Sequence, residues 1–593
     1  MSLLSTIQAS FPNRPGYIMR EIMRKLFIAV SASLLVMLIG CGGGSGNAQP
    51  LAPASGTSAS PASPASTFGL ASDAGTFTVD TGAGLVFKVR RHNSDAGSKG
   101  LGDIISLVYH GTEYQDGLKG SQINSGFNYL YTGHSDVAVT ADRVDADHIK
   151  ITVTAGQLTH YYLAQRGQAR IYMGTYFASE PDTLNLARFI VRIPIRLLPN
   201  GPAPSDIRGN TGAIEAHDIF GLPGGETRSK HYSNHRLMDW SYIGATGARV
   251  GIWIVRDNNE GNSGGPFYRS LLNQATATDQ EITYIIDYGE AQTESFRPGI
   301  LNTYTLAFTD GGAPGAIDTA WLANMALTGY VTSSARGTVA GPAITGLDPA
   351  YRYVVGFSNS TAQYWTDAAP GDGHFRSAGM IPGSYTMRIY KNELAVDTRS
   401  VTVQAGQTTN PGAIAIDGDP AVRAAIWRIG DWDGTPADFL NGDKVTTMHP
   451  SDVRMKSWQT ADYVVGRSTP ADFPAYQWKD INGAITVRFN LRPEQIADMT
   501  LRIGITTAYA NGRPTITLNN WTAPIPGASP QPTTRTLTTG SYRGNNTIFS
   551  FAIPASRLVA GANVLSLGVA SGSGTKAYLS AGIAYDAVDL VTP

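Results

Sequence analysis

The sequence predicts an all-β protein built from three consecutive β-sandwiches, the first large, the second small and the third a jelly roll. Three observations predict it. Of 593 residues, 66 are Gly and 33 are Pro, and both are costly inside a helix but suited to turns. Short runs of β-branched and aromatic residues recur between turn signals from Phe68 onward. Long amphipathic helical patterns are missing, and Ala316–Leu327 is the best short candidate for a helix.

Composition narrows the classes of function. Lys and Arg total 45 against 46 acidic residues, and only 15% of the chain is charged, so there is no basic footprint and nucleic acid is not an expected partner. At 42% hydrophobic the chain fills sizeable cores, and its single Cys excludes an internal disulfide framework.

Taken in order, the first element is an address. Arg24 and Lys25 precede an apolar run, Leu26–Ile39, which is too short for a comfortable membrane span and reads as an export signal. Leu38-Ile39-Gly40-Cys41 resembles the lipobox of bacterial lipoproteins. That resemblance implies lipidation at Cys41, a membrane partner held through the lipid, and a location in the bacterial cell envelope or outside the cell, with Gly42 and Gly43 favouring the outer membrane over retention at the inner one. Residues 1–41 are thus assigned to the signal, and the Gly/Ser/Pro/Ala tract at 42–67 to a linker that need not fold.

Residues 68–330 carry alternating segments such as Leu85–Val89, His148–Val153, Arg249–Val255, Ile282–Ile286 and Tyr304–Phe308, and predict a large antiparallel sandwich. Residues 331–417 open on Gly337-Thr338-Val339 and end after Val401-Thr402-Val403, a length that suits a fibronectin type III-like sandwich acting as spacer or packing unit. Residues 418–593 contain Ile485–Phe489, Thr500–Ile505 and Ile548–Ile553 and read as a jelly roll, an architecture common in carbohydrate-binding modules. This last unit holds Trp427, Trp432, Trp458, Trp478 and Trp521, read chiefly as core or interface residues rather than sugar platforms.

The polar motifs that a plain sandwich does not need lie between Arg188 and Arg297. Gly225–Ser233 places Lys230, His231 and Tyr232 together, and an extended chain there would turn Lys230 and Tyr232 to one face. Gly264–Arg269 and Gly289–Arg297 combine glycines, which let backbone approach a ligand, with Gln, Glu and Arg, which offer directional hydrogen bonds. Together these indicate a polar ligand cleft without naming a reaction. Dinucleotide, phosphate-loop and HExxH signatures are not found; His217-Asp218 has no metal-ligand spacing around it, and Ser263 lacks the strand–elbow–helix setting of a hydrolase nucleophile.

Ten strings in order carry a family resemblance: Gly102–Gln115, Lys119–Gly126, Ile171–Pro181, Leu186–Ile193, Gly225–Ser233, Ser263–Arg269, Ala291–Gly299, Ile426–Asn441, His449–Met455 and Tyr585–Leu590. The sequence resembles the rhamnogalacturonan endolyases of polysaccharide lyase family 4 from about residue 68 to its end, the middle unit contributing position rather than a motif. The resemblance implies a β-sandwich catalytic domain followed by fibronectin-like and carbohydrate-binding-like domains. It also implies cleavage of the rhamnosyl-α-1,4-galacturonate bond of rhamnogalacturonan I, a pectic polysaccharide, by β-elimination. By the same resemblance no cofactor is required, although a structural calcium in a loop of the third unit stays open, and the protein is expected to be a monomer.

The family's catalytic lysine falls on Lys230 and its arginine on Arg188, with Leu186 in place of the usual glutamate two residues earlier. Where the family has GHxQTE this chain has Gly289-Glu290-Ala291-Gln292-Thr293-Glu294, so Glu290 stands at the catalytic histidine, and Leu301 replaces a second histidine downstream. Glutamate ionises at about 4.3, so a proton donor here needs a raised pKa, or else His231, His235 or Tyr232 substitutes, or the leaving oxygen departs with the help of water. Lys230, Glu290 and Arg188 are the catalytic candidates; Tyr232, His235, Arg269, Gln292 and Arg297 are the substrate-binding ones. The two lost histidines leave two alternatives open, a non-catalytic pectin-binding protein and a lyase for another acidic polysaccharide.

Overall fold

Alternation in the sequence becomes alternation of burial. Along Leu85–Arg90, Leu85, Phe87 and Val89 are buried while Lys88 is exposed, and Ile485–Leu491 repeats the pattern with Arg488 and Asn490 outward. The computed structural model describes residues 67–592 apart from 93–99, 125–126, 128–136, 182–185, 290, 460–461, 536 and 572–574. The export signal, Cys41 and the linker as far as residue 66 therefore lie outside the described residues, as does Glu290.

The first domain is dominated by two antiparallel sheets. One has seven strands in the order Tyr242–Gly247, Val250–Arg256, Leu301–Thr309, Arg170–Phe177, Leu158–Gln165, His148–Ala155 and Ala138–Arg143. The other has five, in the order His235–Arg236, Arg269–Ala275, Asp279–Asp287, Ala187–Pro194 and Gln122–Ile123. Their shared core includes Ile151, Tyr162, Met173, Phe189, Ile282 and Tyr304. The central strands are buried on both faces, which is why Ile282–Ile286 and Tyr304–Phe308 read as continuous apolar runs.

Register decides what the five-stranded sheet offers on its other face. Phe189 pairs with Tyr284 and Val191 with Ile282, all four in the core. With a side-chain period of two, Arg188, Arg192 and Glu281 turn to the opposite face. A small three-stranded sheet, Gly212–Glu215, Ile219–Gly221 and Thr227–Arg228, leads into that face and ends on Ser229.

The middle domain sets the sheet Gln363–Asp367, Tyr353–Ser358, Gly383–Lys391 and Leu394–Val403 against Phe375–Met380, Gly337–Gly341 and Thr408–Thr409, around Val339, Val355, Phe375 and Tyr385. In the third domain two five-stranded sheets enclose Ile429, Trp478, Ile503, Leu565 and Tyr585. Trp427, Trp432, Trp458 and Trp478 are all buried, as a packing role requires. The all-β, multi-sandwich architecture expected from the sequence is the one observed.

Two local expectations are corrected. Ala316–Leu327 forms no α-helix; within it only Ala320–Asn324 is helical, as a short 3-10 turn. The stretch Lys230–Ser233 is likewise a 3-10 turn instead of extended chain. Ser229 caps it by accepting from the His231 N–H at 3.3 Å, and Ser233 Oγ donates back to the Lys230 carbonyl at 2.7 Å. Serine side chains that satisfy backbone groups at both ends favour the turn over a strand. Lys230 and Tyr232 therefore do not share a face.

Candidate active site

The turn is fixed on the sheet by Ser233, whose hydroxyl also accepts from the Asn273 N–H at 2.8 Å. From this anchored turn Lys230 reaches toward the arginine face of the five-stranded sheet. Its side chain keeps 22% of its exposure, and its Nζ lies 3.8 Å from Asp218 Oδ1. Burial lowers the Lys230 pKa, the Arg188 charge lowers it further, and Asp218 and Glu281 pull the other way. The result is a lysine moved toward its neutral, proton-accepting form.

Arg188 is largely desolvated, and burial lowers its own pKa against the opposing charge of Glu281. Arginine nevertheless keeps its proton in a protein. Its Nε has no hydrogen-bond partner among the described residues, while the neighbouring Arg192 is spent on Glu281 at 3.5 Å. A fixed cation with a buried, unpartnered N–H beside a lysine whose pKa is lowered is a pairing that can bind a carboxylate and accept a proton from the adjacent carbon.

The other candidates separate into three groups. His231 and His235 are both held toward neutrality by burial, His231 down to about 3, with the charges of Lys230 and of Arg269 respectively as the next cause. Neither carries an imidazolium proton to give away near pH 7. Tyr232 is buried under the third domain, its hydroxyl reaching the Thr538 carbonyl at 3.5 Å, and burial raises its pKa. Arg297 is also buried and bridges to the middle domain through the Asn359 carbonyl (3.0 Å) and Gln363 Oε1 (3.1 Å), with an ion pair to Glu294 at 2.6 Å. Tyr232 and Arg297 thus have polar groups engaged at domain junctions, Tyr232 with the third domain and Arg297 with the middle one. Gln292 is half-buried with Oε1 unpartnered among the described residues. His235 and Arg269 line a polar cleft. Glu290 falls outside the described residues.

Sequence reasoning missed Tyr288 and Arg535, and weighed Asp218 only as a metal ligand. Tyr288 follows the buried run Ile282–Ile286, accepts from Asn234 Nδ2 at 3.1 Å and donates to the Arg269 carbonyl, tying the Lys230 turn to the neighbouring strand. The polar step Asp287-Tyr288 at the end of an apolar run was the available signal. Arg535, from the third domain, donates to Asp218 Oδ2 at 2.7 Å and pairs with Glu215. Nothing local to either segment announces that contact.

For the calcium expected as an option in the third domain, the local carboxylates include Asp433, Asp438 and Asp586, whose pKa values are all raised, by burial first and then by one another or by neighbouring acids. Asp586 Oδ1 accepts the N–H groups of Asp433 (3.1 Å) and Gly434 (2.6 Å), and Asp433 Oδ1 accepts that of Thr435 at 2.8 Å. Among the described residues no group of three or more His, Cys, Asp or Glu is placed to hold a metal ion. No chemical step is routed through a metal cation.

Three sequence models of known families match in succession: rhamnogalacturonan lyase B, N-terminal, over residues 68–329; polysaccharide lyase family 4, domain II, over 335–411; and polysaccharide lyase family 4, domain III, over 425–590. Curated relatives agree. The chain is 38% identical to rhamnogalacturonate lyase A of Emericella nidulans over 528 residues, covering 88% of this chain and 96% of that one. It is 39% identical to the probable rhamnogalacturonate lyase A of Aspergillus terreus over 520 residues (87% and 94% covered). It is 37% identical to rhamnogalacturonate lyase A of Aspergillus aculeatus over 530 residues (88% and 96% covered).

These relatives are fungal, and the first family match begins only at residue 68. The expectation of a bacterial outer-membrane lipoprotein, anchored to a membrane through Cys41, is corrected on that ground, and neither the anchor nor the location is carried forward. Among the described residues no helix is long and apolar enough to cross a membrane. With its catalytic, fibronectin-like and carbohydrate-binding-like domains matched in that order, the chain belongs to polysaccharide lyase family 4 and is an enzyme of its rhamnogalacturonate lyase class.

Proposed function

We propose that the enzyme cleaves the rhamnosyl-α-1,4-galacturonate bond of rhamnogalacturonan I by β-elimination. The observation that carries this reading is the placing of a desolvated Lys230 in the field of Arg188, with the Arg188 Nε unpartnered among the described residues. Arg188 binds the galacturonate carboxylate and stabilises the enolate-like charge that develops when C5 loses its proton. Neutral Lys230 takes that proton on Nζ. The C5–H electron pair forms the C4–C5 double bond, the C4–O4 bond breaks, and its electrons leave with the rhamnosyl oxygen. That oxygen takes a proton, and the new non-reducing end is a 4,5-unsaturated galacturonate. Glu290, at the family's histidine position, is assigned to protonating O4 from its acid form. No metal enters the scheme, because Arg188 supplies the positive charge.

The test follows the ultraviolet absorbance of the unsaturated product during incubation with rhamnogalacturonan I. The wild-type protein gives a rising signal, and Lys230→Ala lowers turnover at least roughly 100-fold, the scale of a positioned acid or base, while circular dichroism shows an intact fold. Near-normal turnover in Lys230→Ala would remove Lys230 as the base. Affinity without product in the wild type would leave a binding protein.

A further inference from the structure

Beside the Lys230 site lies a cleft of about 250 Å³ to which all three domains contribute. The first supplies His235, Arg236 and Arg269, the middle Glu393, and the third Tyr542 and Arg543. Its charges are not evenly settled. Arg236 is neutralised twice, by Asp239 at 2.5 Å and by Glu393 at 2.8 Å. Glu393 is only 1% exposed on its side chain and also accepts from the Tyr542 hydroxyl at 2.8 Å.

Arg269 and Arg543 differ from Arg236. Among the described residues Arg269 donates to the neutral carbonyls of Gly540 and Thr446 alone. Arg543 donates to the Glu393 carbonyl at 3.2 Å and lies 5.1 Å from the centre of the Phe267 ring, with its buried Nε unpartnered. Among the described residues neither guanidinium is ion-paired; the two carboxylates of the cleft, Asp239 and Glu393, are both held by Arg236, so its three arginines leave an excess of positive charge. Holding charge in such a place is costly unless an anion arrives. Next to it, Trp240 lies flat on His235, ring centres 4.0 Å apart and 3° from parallel, and remains 43% exposed. An exposed indole beside paired guanidinium groups is suited to a ring that bears a carboxylate.

We propose that this three-domain cleft is a second uronate subsite, separate from the reacting one, in which Arg269 and Arg543 hold a galacturonate carboxylate and Trp240 supports its ring. The proposal rests on the function proposed above, because the occupant is another galacturonate of the same chain. Reach permits it: Lys230 and Arg236 are six residues apart, at most about 21 Å if fully extended, a span that one polysaccharide strand can bridge. The volume suits one sugar unit of a passing chain and is small for a free-standing ligand site. The cleft would also explain why the third domain is docked onto the catalytic one, since Arg543 exists there only through that docking.

The experiment measures calorimetric binding of a rhamnogalacturonan I hexasaccharide, and of the same hexasaccharide with its carboxyl groups reduced, to the uncleaving Lys230→Ala protein. Adding Arg543→Gln is expected to weaken the acidic ligand about tenfold, within the range for a lost charge-assisted hydrogen bond, and to leave the reduced ligand unaffected. Arg543→Lys, which keeps the charge, restores part of the affinity and guards against a merely structural loss. Trp240→Ala weakens both ligands. In the otherwise wild-type enzyme the loss in kcat/KM from Arg543→Gln falls on KM. Equal affinity with and without Arg543→Gln, no binding of either ligand, or equal losses for the acidic and reduced ligands would overturn the subsite. A wild-type enzyme that makes no unsaturated product, yet loses acidic-ligand binding with Arg543→Gln, would retain the subsite and remove the reaction.

Discussion

Asp218 stands between Lys230 and Arg535: its Oδ1 is 3.8 Å from the Lys230 Nζ, and its Oδ2 accepts from Arg535 at 2.7 Å. One carboxylate thus faces the proposed base on one side and a cation of the third domain on the other. Arg535 also holds Glu215, whose Oε2 lies 3.4 Å from His449 Nε2. The third domain thereby holds in place a carboxylate that faces a lysine of the first. The basicity of Lys230 becomes a balance among burial and Arg188, which lower its pKa, and Asp218 and Glu281, which raise it.

That balance gives a prediction with a definite sign. A general base works only when unprotonated, so the acid limb of the kcat/KM profile follows the Lys230 pKa. Asp218→Asn removes an anion that favours the ammonium form, so the pKa falls further and the acid limb moves to lower pH. Arg535 keeps Glu215 as a partner in that variant, which preserves the domain contact. Arg188→Gln removes the cation that disfavours the ammonium, and moves the limb to higher pH while also raising KM. pH–rate profiles of the two variants should therefore shift in opposite directions. A limb that stays in place in both would mean that Lys230 does not titrate in the rate-limiting step.

Glu290 replaces the histidine of the family motif, and its protonation decides the second half of the elimination. Glu290→Gln keeps size and hydrogen bonding but supplies no acid proton, and kcat on rhamnogalacturonan I should fall by about 100-fold. Glu290→His restores the family's residue, whose ordinary pKa near about 6.5 matches a donor working close to neutrality. That variant should equal or exceed the wild type above pH 6. Parallel kcat measurements on the three proteins decide it: an unimpaired Glu290→Gln reduces Glu290 to a neighbour of the site and leaves Lys230 as base untouched.

What the sequence made legible follows from range. Ile282–Ile286 and Ile485–Leu491 announce themselves because a strand's burial is written in adjacent residues. Lys230 and Arg188 stand out by motif position, but the 3-10 turn at Lys230 does not, because capping by Ser229 and Ser233 competes with the extended reading of the same string. Arg535 and Asp218 meet across 317 residues, and Arg543 and Glu393 across 150. Contacts between domains have no local period. Arg297 and Tyr232 reach the neighbouring domains in the same way, and a polar or aromatic residue in a family string signals a constraint without saying whether a ligand or a domain junction imposes it.

The same docking offers a test by stability. Asp452 of the third domain accepts the N–H and hydroxyl of Thr227 at 2.7 and 2.8 Å, three residues before Lys230, and is ion-paired with Arg454 at 2.8 Å. Burial pushes the Asp452 carboxyl up, but the hydrogen bonds from Arg454 and Thr227 outweigh it and hold the pKa at about 2. A carboxylate with a depressed pKa in the folded state stabilises the protein at pH values above its unfolded pKa, and that contribution is lost as pH falls toward the folded value. Asp452→Asn should therefore cost about 2 kcal/mol at pH 7. The gap from wild type should narrow between about pH 4 and pH 2, where the wild-type aspartate itself becomes protonated. Guanidinium unfolding of both proteins across that range measures it. Because Thr227 leads directly into the capped turn, Asp452→Asn should also lower kcat at pH 7, and a gap in stability that stays constant from pH 7 to pH 2 would show that the Asp452 charge does not hold the junction.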